Sequence, residues 1–182
     1  SNEYPDKYRQ YDAILAVEAF TAIKTDAVEA FDKLKDYQQT TDDWIFGYLS
    51  YDLKNDTENL KSKNYDGLDF PELYFFQPQK LFLLKGNQLE VQYLRVVDDE
   101  IDLDFSAIND IVIPEKTAQK PQKSTLIQSR LSKEEYLQKI ENMLKHIHRG
   151  DIYEANFCQE FYAENVDLEP LQVFNALNTI SN

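Results

Sequence analysis

The stretch HRGDIYEANFCQEF, His148 to Phe161, decides how this chain is read. A helical pattern stops inside it. Upstream, Ser132 and Glu135 have the spacing of a capping box, in which each side chain satisfies a free backbone N–H of the first turn. Tyr136, Ile140, Met143, Leu144 and Ile147 recur at helical spacing and define one apolar face. Lys145, His148 and Arg149 stand near the negative end of the helix dipole. Gly150 suits the left-handed residue that ends many helices. From Asp151 the period changes to two: Tyr153, Ala155, Phe157 and Phe161 point one way, Ile152, Glu154, Asn156, Cys158 and Glu160 the other. The pattern predicts a helix closed by Gly150 and a strand leaving from Asp151. Unpaired buried amides cost ~1–3 kcal/mol, so Asn156 and Gln159 are expected to be hydrogen-bonded inside that strand and to hold its register. Asp151 reads as a turn acid, and Cys158 as a packed thiol with no base beside it.

Working outward, Asp12–Val17 predicts a strand and the segment 26–37 a helix, with Thr25 or Asp26 as its cap and Ala27, Ala30, Phe31 and Leu34 at helical spacing. DWIFGYLSYDL, Asp43 to Leu53, predicts a strand in which Gly47 allows a bulge or a close backbone approach. Residues 55–67 are polar and read as a loop with room for one helical turn. Leu73–Gln77, Lys80–Lys85 and Leu89–Val96 predict three strands, the last two joined by a Gly86-Asn87 turn. The acidic run 98–105 lacks the glycine and distal Glu of a calcium loop, and reads as a solvated acidic loop or the start of a short helix. Residues 114–123, with two prolines, read as a linker between a region 1–113 and a region 124–182. Ser124–Ser129 predicts a strand and Pro170–Leu177 a further helix. The ends read as those of an internal piece of a longer protein.

Composition excludes several classes. A net charge of −14 repels phosphate backbones and anionic membrane surfaces, so neither nucleic acid nor membrane is an expected partner. One cysteine excludes an intrachain disulfide, and the two histidines, about 200° apart around a helix, do not share a metal ion. No apolar run approaches the roughly 20 residues of a membrane helix, and no signal peptide is visible, so the default expectation is a cytoplasmic protein. The 12 Tyr and 11 Phe favour a β-rich core with helices packed on it.

The segment S-x-x-E-Y, an apolar-faced helix and GDIYEANFCQEF resembles the chorismate-utilising enzymes, whose corresponding segment reads roughly GDIYQVNLSQRF. Gly150, Asp151, Ile152, Tyr153, Asn156, Gln159 and Phe161 match; Glu160 replaces the usual Arg and reverses its charge. WIFGYLSYDL, residues 44–53, resembles the family's G-x-x-G-Y-x-x-Y-D segment through Gly47 and Tyr48. The family includes the large subunits of anthranilate synthase and aminodeoxychorismate synthase, and the isochorismate synthases. Spacing and short linkers look closest to the aminodeoxychorismate synthase branch.

The resemblance implies an α+β fold of largely antiparallel sheets with packed helices, the N-terminal portion of the anthranilate synthase component I-like fold. It implies a parent enzyme that aminates chorismate to 4-amino-4-deoxychorismate for p-aminobenzoate and folate synthesis, with Mg2+ as cofactor and a glutamine amidotransferase subunit supplying ammonia. Anthranilate synthase component I is the alternative, separable by a lysine or an alanine at a P-I-K-G-T position beyond Asn182. A non-catalytic binding or regulatory module is the alternative of a different class. The family's substrate and magnesium residues have no counterpart among these residues, so the resemblance carries over no catalytic residue. It does imply an amino-acid pocket, of the kind that can hold tryptophan, near Tyr8 and Ser181-Asn182.

Overall fold

A computed structural model describes residues 7–58, 60–61, 63–112 and 125–180. The chain divides into two compact units, Ser1–Ile113 and Pro114–Asn182. It is α+β, and every strand pairing described is antiparallel.

The first unit is built on β3, Leu73–Lys85, against which β1 (Ala13–Thr25), β2 (Phe46–Leu49) and β4 (Gln88–Tyr93) all pair. β1 runs along one side of β3; β2 and β4 share the other, pairing with Leu73–Phe76 and Lys80–Lys85 respectively. Pro78 falls in the middle of β3, where it offers no N–H to the ladder. The sequence therefore predicted two strands there, but the strand is continuous. β1 absorbs the defect: Ala19 pairs with Pro78 and Thr21 with Gln77, so Phe20 is an extra residue and Glu18 takes φ 58°.

Other boundaries also move. β1 continues to Thr25, beyond the expected Val17, because β3 supplies it a partner throughout. Asp26 does not cap a helix; its carboxylate accepts the Val28 N–H at 3.0 Å and turns the chain, so α1 spans Ala30–Thr41 rather than 26–37. The strand expected over Asp43–Leu53 stops at Leu49. A 3₁₀ turn, Tyr51–Leu53, and a short helix α2, Lys54–Thr57, follow and carry Leu53 into a core with Ala30 and Leu73. β4 ends at Tyr93 rather than Val96, where the Leu94 N–H still reaches Gln79 and the Val97 N–H folds back to Leu94. The acidic run forms a 3₁₀ turn, Asp98–Glu100, leading into α3, Ile101–Asn109, with acids in its first turn as the helix dipole favours.

In the second unit, β5 (Gln128–Ser129) pairs with β6 (Phe161–Tyr162), and α4 (Lys133–Arg149) lies between them in sequence; α5 spans Pro170–Ile180. The linker expected over 114–123 lies outside the described residues.

Candidate functional site

The sequence singled out the exit of α4. The capping box opens the helix, with Ser132 and Glu135 satisfying each other's backbone N–H groups. At the far end Gly150 adopts φ 86°, and its N–H donates to the Ile147 carbonyl while the Asp151 N–H donates to that of His146, both at 3.0 Å. These are the two bonds of a Schellman motif. An apolar contact commonly seals such a motif; here a polar one does. The Asp151 carboxylate accepts from Arg149 Nε at 2.8 Å and lies 2.7 Å from His146 Nδ1. The Arg149 hydrogen bond, then that of His146, holds the Asp151 carboxyl below the usual carboxylate range.

Beyond Asp151 the structure departs from expectation. Residues 151–160 form no strand, and pairing begins only at Phe161. A period of two needs a neighbouring strand to become a sheet, and β5 offers just Gln128 and Ser129. Asn156 is exposed, and its side chain has no hydrogen bond among the described residues, so the expectation that it is buried and paired is overturned. Cys158, expected to be packed, is exposed. Gln159 is half-buried: its amide donates to Ser129 Oγ and, at 3.5 Å, to the Leu131 carbonyl. Next to it, Glu160 accepts from Arg130 Nε at 2.7 Å and from Arg130 Nη2 at 3.4 Å, while its carbonyl accepts the Arg130 N–H at 3.0 Å. The Arg130 guanidinium lies 3.7 Å from the Tyr162 ring centroid. The acid that replaces the family's usual arginine is thus matched by an arginine on the chain beside it. The α4 face predicted from spacing is half-buried at Tyr136, Ile140, Met143 and Ile147, and Tyr136 meets Phe157 edge-on at 5.4 Å; Leu144 is exposed.

Gly47 and Tyr48 sit in β2 of the first unit. A Cβ at position 47 would lie 1.9 Å from the Tyr74 carbonyl oxygen and 2.7 Å from Phe75 Cγ, so only glycine lets β2 approach β3 this closely. Phe46 and Tyr48 face their partners Phe76 and Tyr74, and Trp44 stacks on Phe46 at 6.0 Å, forming an aromatic row on one sheet face. Burial pushes the Tyr48 phenol up, and the Glu72 carboxylate adds to it.

Tyr8 is 82% exposed, with the Lys7 ammonium 5.9 Å from its ring centroid. Ser181 and Asn182 lie outside the described residues, so the amino-acid pocket expected between them and Tyr8 lies outside what the structure describes. No group of three or more His, Cys, Asp or Glu that could hold a metal ion occurs among the described residues. No described helix is long and apolar enough to cross a membrane. Three features escaped the sequence reading: the His146–Asp151 contact, the Arg130–Glu160 pair, and a buried Lys80 ringed by acids. Their partners lie five or more residues apart, across a turn or between strands, where no helical or strand period links them. The one visible signal was a lysine directly before the apolar run Leu81–Leu84.

The profile of a family described as chorismate binding enzyme matches residues 5–182. The chain belongs to the chorismate-binding enzymes. A Synechocystis sp. protein called anthranilate synthase component I-like is 26% identical over 140 residues, covering 76% of this chain and 28% of that protein. The crystal structure of anthranilate synthase component I from Streptococcus pneumoniae TIGR4 superposes with a TM-score of 0.70 at 13% identity. That likeness covers 99% of this chain and 48% of the solved one, and it is one of fold. The chain therefore spans about half of the solved relative and under a third of the curated one.

Proposed function

We propose that this chain is the N-terminal portion of the large subunit of an aminodeoxychorismate synthase. The parent enzyme would replace the 4-hydroxyl of chorismate with ammonia, delivered by a glutamine amidotransferase partner, on the way to p-aminobenzoate and folate in the cytoplasm. The observation that carries the chorismate reading is the family match from residue 5 to residue 182. The choice of branch rests on spacing and short linkers. Magnesium enters through the family alone.

This chain's own contribution is scaffolding. The sealed end of α4 and the Gln159 and Arg130–Glu160 contacts fix how the backbone leaves the helix. Since the chain spans 48% of its solved relative, it is expected to be inactive alone. Incubated with chorismate, magnesium and ammonium, it should show no turnover above a heat-killed control; turnover would overturn this point.

The second reading is anthranilate synthase component I, favoured by the names of both relatives. Chromatography of products from the full-length enzyme, chorismate, magnesium and ammonium separates the two. Accumulation of 4-amino-4-deoxychorismate supports the proposal, anthranilate supports the second reading, and no conversion of chorismate overturns both.

A further inference from the structure

Lys80 is the one buried charged side chain among the described residues, at 5% exposure. It lies on β3 between Val17 of β1 and Tyr93 of β4. Its ammonium meets Glu100 at 2.6 Å, Asp104 at 2.8 Å and Glu18 at 3.4 Å. The Tyr93 hydroxyl donates to the same Asp104 oxygen at 2.9 Å, and the Tyr93 ring centroid is 5.7 Å from the ammonium. A buried ammonium is costly unless paired and hydrogen-bonded, and this one is met from three segments.

Two of the three acids belong to the segment 98–109, and little else ties that segment to the sheet. α3 contributes no buried residue, and Leu103, Phe105 and Ile108 are 72%, 50% and 41% exposed. The hydrogen bonds leading into it are local, from Val97 to Leu94 and from Glu100 to Val97. Apart from the half-buried Ile101, its attachment is by charge. We propose that Asp98–Asn109 is a separable flap, latched to the sheet by the Lys80 ammonium, and that it lifts as a unit when that charge is lost. One positive charge holds three carboxylates; remove it and Glu18, Glu100 and Asp104 repel one another across the sheet edge. Lifting uncovers Tyr93 and the Phe82 ring, which meets it edge-on at 6.0 Å. Glu100 and Asp104, at the start of this short helix, are then the latch.

Hydrogen exchange read by mass spectrometry on the whole chain tests this. Lys80→Met should raise exchange over 98–109 about tenfold or more while β3 amides change less than about threefold, the pattern of a local opening. Tyr93→Phe, a milder change that removes one donor from Asp104, should give a smaller rise over the same segment. An unchanged 98–109 in folded Lys80→Met, or an equal rise throughout the sheet, overturns the proposal. Should Lys80→Met fail to fold, Tyr93→Phe decides: a rise confined to 98–109 supports the flap, and any other pattern overturns it.

Discussion

Replacing Gly47 by alanine should be one of the most damaging single-methyl changes in this chain. The added Cβ would lie 1.9 Å from the Tyr74 carbonyl oxygen and 2.6 Å from Phe75 Cα. Both are backbone atoms of β3, so no side-chain rotation relieves the clash. Restoring ordinary van der Waals separation, 3.4 Å or more, requires β2 to move by about 1.5 Å, roughly a third of the strand spacing of ~4.8 Å. Overpacking costs ~1–3 kcal/mol, and prying β2 away forfeits about two ladder hydrogen bonds at ~1 kcal/mol each. The sum is a loss of about 3–5 kcal/mol. Trp44, the chain's one tryptophan, stacks on Phe46 in β2 and reports on this region alone. With a urea slope of about 2 kcal/mol/M, the Trp fluorescence midpoint should fall by about 2 M. Gly86→Ala is the control. A Cβ there meets nothing within 4 Å, but φ is 58°, so strain of ~1 kcal/mol and a shift of about 0.5 M are expected. A Gly47→Ala midpoint shift no larger than that of Gly86→Ala would refute the close-approach argument.

Asp151 should titrate below its ordinary 3.8, because the charged carboxylate is the form that Arg149 and His146 stabilise. Its contribution is present above 3.8 and is lost as pH falls through the depressed folded value. NMR titration of the carboxyl carbon should show this, and Arg149→Gln should move the value back toward 3.8; a parent value at or above 3.8 counts against the contact. Arg130→Glu and Glu160→Arg should each lower stability, while the double exchange restores most of it. Both side chains are partly exposed, so the coupling in a double-mutant cycle should not exceed about 1 kcal/mol, and zero coupling would show the pair to be incidental. Asn156→Leu should leave the urea midpoint of the second unit within the scatter expected of surface changes, about 0.5 kcal/mol; a larger loss would mean that the amide has a partner after all.

Local chemistry was legible in the residues themselves. Ser132, Glu135 and Gly150 mark the ends of α4 because caps are built from atoms within a few positions of one another. Gly86-Asn87 marked the β3–β4 turn for the same reason. The α+β class with its largely antiparallel sheets and the membership in the chorismate-binding enzymes also followed from the motifs that carry the family resemblance. What failed depended on partners far along the chain. The alternation from Tyr153 to Phe161 looked like a strand, yet alternation only makes a residue ready for pairing, and β5 supplies two residues to pair with. Pro78 looked like a strand end, yet a bulge on β1 lets β3 run through it. The acidic run does begin a short helix, one of its two expected forms, but Glu100 and Asp104 looked solvated until β3 brought Lys80 beside them. The sequence by itself determined the caps of α4, the Gly86-Asn87 turn and the family the chain joins. The tertiary structure alone decided which strands are paired, which charge is buried and why Gly47 admits no side chain, because each of these is set by atoms that the fold, not the chain order, places side by side.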